Sequence, residues 1–193
     1  MKFFAVIDTN VIVSALLKWD SVPGLVLQSV FEGRVVPVVN AQILEEYKVV
    51  LNREKFGFAK ERIAETITQI ESLGVHESHL ASVVEDMPDP KDVVFYSVAL
   101  AHGNVTETHL VTGNVKHFPK SPVVVTPREF LEIIGLFTQT MFVNDVRRPF
   151  VVYDANPGWN VFLNLRRQAQ RGPAAGMTLD EINAEIAAAH SGK

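Results

Sequence analysis

Apolar and polar positions fall in blocks along this 193-residue chain, and the first block ends abruptly: Phe3, Phe4, Ala5, Val6 and Ile7 run without a polar residue into Asp8. Five apolar residues bounded by a charge predict a strand buried on both faces, as in parallel sheets. The next stretch, Val11 to Leu17, places Val11, Ala15 and Leu16 on one helical face, so a strand–turn–helix unit opens the chain. Asn10 is the expected side-chain cap of that helix. Asp8 falls at the carboxyl end of the strand, where open α/β sheets gather ligands, although a capping role alone would also account for it.

The same alternation continues. Val22 to Phe31 predicts a helix, residues 34–39 a strand after Gly33, and residues 59–73 a helix with Ile63, Ile67 and Ile70 inward, ended by Gly74. Between them, apolar residues at 43, 44, 47, 50 and 51 form the stripe of an amphipathic helix. Glu46 lies at the edge of that stripe and Glu45 nearer solvent, and most helical glutamates serve only to wet a surface. Pro88 and Pro90 hold the approach from Asp86 through Asp89 extended, and Asp92 opens an apolar helix, where it would also suit the helix dipole. Thr108 to Val111 predicts another buried strand, ending in the polar turn Thr112-Gly113-Asn114. Residues 121–125 read as the last core strand. Strands and helices in alternation imply an α/β fold with a parallel sheet.

Taken in order, Asp8-Thr9-Asn10, Glu46 within 44–53, Asp89-Pro90-Lys91-Asp92, and Val111-Thr112-Gly113-Asn114 followed by His117-Phe118-Pro119 resemble the PIN domain family. Thr126 to Leu131, before the last core helix, matches as well. Each triplet is common by itself, and the signal is four of them in one order. The resemblance covers about residues 1–136. It implies a PIN-like domain over 1–137, with a central parallel sheet of about five strands covered by helices on both faces, and a C-terminal appendage over 138–193.

The resemblance further implies a cytoplasmic, divalent-metal-dependent endoribonuclease, the toxin of a type II toxin–antitoxin pair. Asp8, Glu46 and Asp92 match the family's metal ligands. Asn114 matches a fourth catalytic position, where many members carry Asp. Thr9, Asn10, Asp89, Thr112 and His117 are candidates for substrate contact or for orienting the ligands. The chemistry is coherent apart from the family: Mg²⁺ and Mn²⁺ take oxygen ligands, and crowded carboxylates without a cation would repel and raise at least one pKa. The alternative is a catalytically silent PIN-like module acting through protein or RNA contacts, with Asn114 marking a lost metal site. An aspartyl phosphatase fits less well, since the second Asp such enzymes place two residues on is Asn10 here.

Composition narrows the classes. The chain has no cysteine, which excludes disulfides and thiolate chemistry, and 47% hydrophobic residues can fill a substantial core. No apolar run approaches the roughly 20 residues of a membrane span, and Asp8 interrupts the first one too early for a secretory signal. A net charge of −4 means RNA would be attracted locally, with Lys18, Arg53, Lys55, Lys91, Lys116 and Lys120 as candidates. His76, His79, His102 and His109 show no ligand spacing, and His117 is the histidine expected at the site.

Beyond Phe137 the pattern predicts an edge strand at 150–153, a turn at 154–158, a helix at 159–171 and a linker at 171–176. Thr178-Leu179-Asp180-Glu181 fits a capping box opening a last helix through Ala189. Residues 177–186 resemble the C-terminal portion of some antitoxins, and equally suit a helix that joins copies into a dimer or higher homo-oligomer. The expected partners are therefore RNA and an antitoxin or the chain's own antitoxin-like tail. Arg147, Arg148, Arg166, Arg167 and Arg171 could enter the acidic cluster, line an RNA path or solvate a surface.

Overall fold

The computed structural model describes residues 2–18, 20–83, 87–136, 172 and 174–192. Asp86, the expected strand at 150–153, turn at 154–158 and helix at 159–171, and the five arginines from Arg147 to Arg171 lie outside the described residues.

Five strands form one parallel sheet: β1 (Phe3–Ile7), β2 (Val35–Val39), β3 (Val75–His76), β4 (Thr108–Val111) and β5 (Val124–Val125), in the order β3-β2-β1-β4-β5. From β1 the chain moves outward through β2 to β3, then returns to the other side of β1 with β4 and goes on to β5. Winding therefore reverses between β1 and β4. The crevice outside the carboxyl ends of these two strands is the topological switch point of the sheet. With crossovers of the usual right hand, the reversal sends the helix before β4 to the opposite face from those after β1.

The helices are α1 (Thr9–Leu17), α2 (Val22–Phe31), α3 (Ala41–Leu51), α4 (Lys60–Leu73), α5 (Val93–Gly103), α6 (Pro127–Ile133) and α7 (Leu179–His190). Every residue of α1 but Ser14 is buried, because α2, α3 and α7 all pack around it. Its apolar face is thus the whole circumference rather than the narrow stripe its spacing suggested. In α3, Ile43, Tyr47, Val50 and Leu51 are buried and Glu45 is exposed, as the stripe requires. α5 is apolar all round and lies against β4, β1 and β2. Thr126 and Thr178 each close a capping box, with Glu129 on α6 and with Glu181 on α7. Ala174, Ile182 and Ile186 belong to the same hydrophobic cluster as β1 and α1. Among the described residues no single helix is long and apolar enough to cross a membrane.

Several element ends differ from expectation by a residue or two, and two of the differences have a visible cause. Ala59 is the N-cap of α4 rather than its first residue. β5 is shorter than residues 121–125, because the Val124 N–H donates to the Ser121 carbonyl at 3.0 Å and the Val123 N–H to the Ser121 hydroxyl at 3.3 Å, closing a turn where the strand would begin. Gly74 ends α4 with φ −92°, so a left-handed cap is not what selects glycine there. A Cβ would lie 2.8 Å from the Pro37 carbonyl oxygen and 3.1 Å from that of Ile70. Glycine is required because the chain passes this close to β2 on its way into β3. Gly74→Ala should therefore cost about 1–3 kcal/mol through overpacking against backbone. Urea unfolding measures it, and an unshifted midpoint would show that the close approach relaxes without cost.

Candidate metal centre

Asp8 is the first residue beyond β1, and its N–H donates to the Val111 carbonyl at the end of β4, 2.9 Å away. Its carboxylate accepts from the Asn10 N–H at 3.3 Å, the Asn10 side-chain amide at 2.7 Å and the Thr112 hydroxyl at 2.5 Å. Asp8, not Asn10, is consequently the N-cap of α1. Asn10 sits inside the helix and bridges the crevice instead: its amide nitrogen donates to Asp8 and its oxygen accepts the Gly113 N–H at 2.9 Å. The Thr112 hydroxyl also accepts the Asn114 N–H at 2.9 Å. The two polar triplets, far apart in the chain, form one buried network across the ends of β1 and β4.

Glu46 reaches this crevice because α3 is tied to β1. The Tyr47 hydroxyl donates to the Ile7 carbonyl, the residue before Asp8. Burial, together with the charges of Asp8 and Glu46, pushes the Tyr47 phenol well above its ordinary pKa and keeps it a donor. Asp92 is the N-cap of α5 but makes no capping hydrogen bond, so helix initiation does not use its carboxylate. It is buried, with His117 Nδ1 3.3 Å from its Oδ2. Asn114 is buried at the end of the β4 turn.

These acids act on one another. Burial, then the charge of Glu46, raises the Asp8 carboxyl to about 6 against the hydrogen bonds that lower it. Asp92 rises to about 8, first through burial and then through Asp8, Asp89 and Glu46. Asp8, Glu46 and Asp92, proposed from the sequence as ligands, thus share one low-dielectric crevice with Asp89, Asn114 and His117.

Sequence reasoning missed His190, in the last turn of α7. Its Nδ1 lies 2.6 Å from Asp89 Oδ2 and its Nε2 2.6 Å from Glu46 Oε1. Burial opposes its charge, but the hydrogen bonds to Glu46 and Asp89 prevail and raise it to about 9. Asp89, against its own burial, is lowered by His190 and by the Lys91 N–H. A histidine 144 residues from Glu46 offers no spacing signal, and at a helix C-terminus the dipole alone would explain it. His102, by contrast, is a satisfied structural residue, its Nδ1 2.7 Å from the Thr108 hydroxyl. Arg53 and Lys55, proposed as RNA contacts, pair with Glu185 of α7 at 2.6 and 3.0 Å.

The donor set fits a hard divalent cation. It consists of carboxylate oxygens, and at Asp8 and Asp92 burial and then neighbouring carboxylates raise the pKa, a condition that a bound cation relieves. The Thr9 hydroxyl, next to Asp8, is the buried side-chain oxygen without a hydrogen-bond partner among the described residues. Asp89, Asp92 and His190 also offer ligand atoms within 4.8 Å of one another, but both His190 nitrogens are already directed at carboxylates.

A parallel sheet with an acidic crevice at its switch point is a framework for binding a ligand or cation outside the strand ends. The chain belongs to the PIN domain family, whose profile residues 5–116 match, and PIN domains are in general nucleases. It is also similar to an uncharacterized protein of Methanocaldococcus jannaschii, 28% identical over 142 residues that cover 68% of this chain and 92% of that one. No solved structure matches the chain significantly.

The titrations give a stability profile with a definite sign. Asp8 and Asp92 have folded-state pKa values above 3.8, so the stability they contribute when protonated is lost as pH rises from there through about 6 and about 8. The contribution of His190 is fully present below 6.5 and lost as pH rises through about 9. All three act in one direction, because in each case the fold binds the proton more tightly than the unfolded chain does. Melting in the presence of a chelator should show Tm falling steadily from pH 5 to pH 9, and a flat or rising profile would contradict the buried-acid arrangement.

Proposed function

We propose that this protein is a divalent-metal-dependent endoribonuclease, the toxin of a type II toxin–antitoxin pair, with Asp8, Glu46 and Asp92 as its metal ligands. The observation that supports this most directly is the meeting of these three acids at the switch point, two with carboxyl pKa values pushed to about 6 and about 8. Mg²⁺ or Mn²⁺ suits such a set. Asp8, Glu46 and Asp92 would hold such an ion, which when bound would supply Lewis-acid activation of water and charge neutralisation at a phosphodiester.

The chain's own residues supply orientation. Thr112 and Asn10 lock the Asp8 carboxylate in place, the role of outer hydrogen-bond partners in metal sites. Asn114, whose N–H is bonded to the Thr112 hydroxyl, adds no charge. Exposed Lys91 and Lys116 flank Asp92 and His117 in the chain and provide local attraction for phosphate in a protein of net charge −4. His117, beside Asp92, is positioned to contact substrate. The toxin assignment draws on the family resemblance and on a C-terminal helix seated at the acidic crevice.

Asp92→Asn tests the reading cleanly, since Asp92 makes no capping bond that the amide would lose. Cleavage of a structured RNA panel with Mn²⁺ should fall by roughly 100-fold or more, given that loss of mere outer partners costs about 10–100-fold. Tm should hold at pH 7, where a carboxyl with its pKa at about 8 is already largely protonated, and should exceed the native value at pH 9, where the substitution removes a buried like charge. Undiminished turnover would remove Asp92 from the site, and absence of cleavage in the native protein at any metal concentration would favour the silent binding module. Asn114→Asp, which adds a carboxylate, should tighten Mg²⁺ in calorimetric titration, and equal or weaker affinity would place Asn114 outside the ion's reach.

A further inference from the structure

α7 crosses the acidic crevice from end to end. At its start the Leu179 side chain meets Gly113, where a Cβ would lie 3.2 Å from both Leu179 methyl carbons. Midway, Ile182 and Ile186 are buried, and Glu185 is clasped by Arg53 and Lys55. At its end His190 stands between Glu46 and Asp89. The helix is thus aligned by apolar contacts at its centre and delivers one group into the cluster.

The state of that group follows from its partners. Each ring nitrogen lies 2.6 Å from a carboxylate oxygen, and a carboxylate only accepts. Both ring nitrogens are therefore engaged, and neither faces an incoming metal ion. The His190 ring occupies the position between Glu46 and Asp89 that these carboxylates would otherwise offer a divalent ion.

We propose that α7 is a displaceable plug of this protein's own site, with His190 and a divalent metal ion competing for the acidic cluster around Glu46. This rests on the metal-centre reading above and assigns its regulation. The competition is for the same oxygen atoms: with His190 in place, an incoming ion meets a ligand already engaged. Linkage makes the effect reciprocal, so each ion bound weakens the docking of α7 by the factor by which α7 weakens the ion. Release is feasible because only Ile182 and Ile186 among the larger apolar residues of α7 are buried, and the other anchors of its later half are polar contacts of Glu185 and His190.

The test is Mn²⁺ affinity of the full-length protein by isothermal titration, with His190→Ala and, separately, Ile186→Asp, which loosens the helix without touching the acidic cluster. Both should tighten Mn²⁺ by on the order of tenfold, within the usual range of coupling between two sites. Hydrogen exchange in residues 179–190 of the native protein should accelerate when Mn²⁺ is added. RNA cleavage at limiting Mn²⁺ should rise in both variants. Weaker Mn²⁺ binding in His190→Ala would make His190 a ligand and overturn the plug. Equal affinity in both variants, while Asp92→Asn still abolishes binding, would overturn the plug alone and leave the metal centre standing. No Mn²⁺ binding in native protein or either variant would overturn both.

Discussion

Carboxylates that are buried together need a compensating positive charge, and most of what is distinctive in this structure follows from that constraint. Asp8 and Asp92 bear the cost of desolvation, and the carboxylates around them add to it, offset in part at Asp92 by the charge of His190. Hydrogen bonds from Thr112 and Asn10 offset part of it at Asp8. Asp92 has only His117 within hydrogen-bonding distance among the described side chains, at 3.3 Å, which is why it is the more perturbed of the two. A crevice with this charge deficit attracts cations, whether a metal ion or a protonated side chain.

The fold creates the deficit by its winding. Because the strand order reverses between β1 and β4, no crossover covers the carboxyl ends of those strands, and both end in polar turns. Asp8 and Thr112 emerge there from backbone that is itself hydrogen-bonded, Asp8 to β4 and Thr112 to β5 at 3.0 Å. A rigid sheet therefore sets their separation, and the short side chains have little freedom to leave. Tyr47 extends the same rigidity to α3 through its bond to Ile7, which brings Glu46 alongside. In this way each acid is carried by a different element that is anchored to the same two strands.

α7 answers the deficit from within the chain. Its two buried isoleucines join the common core, while His190 supplies the missing charge to Glu46 and Asp89. Glu185 plays the complementary part, taking up Arg53 and Lys55. Two basic groups that look available for RNA in the sequence are in this arrangement committed to the helix.

The periodicities of the chain determined the α/β class, the strands at Phe3–Ile7 and Thr108–Val111, the helix at Val22–Phe31 and the buried face of α3, because alternation and length are local properties that the backbone converts directly into elements. The candidate acids were legible too, since each stands at the edge of such an element. Their partners were not. Asp8 rather than Asn10 caps α1 because Asn10 is drawn across to Gly113, a contact between residues 103 apart that no local rule contains. The short β5 and the need for glycine at position 74 likewise depend on which backbone lies opposite. His190 is the extreme case: nothing in its neighbourhood marks it, and only the packing of Ile182 and Ile186 on the core carries it 144 residues back along the chain to Glu46. Sequence patterns record what each residue does to its own segment, whereas charge compensation in a buried crevice is a property of segments brought together, and it was decided only when the tertiary structure closed.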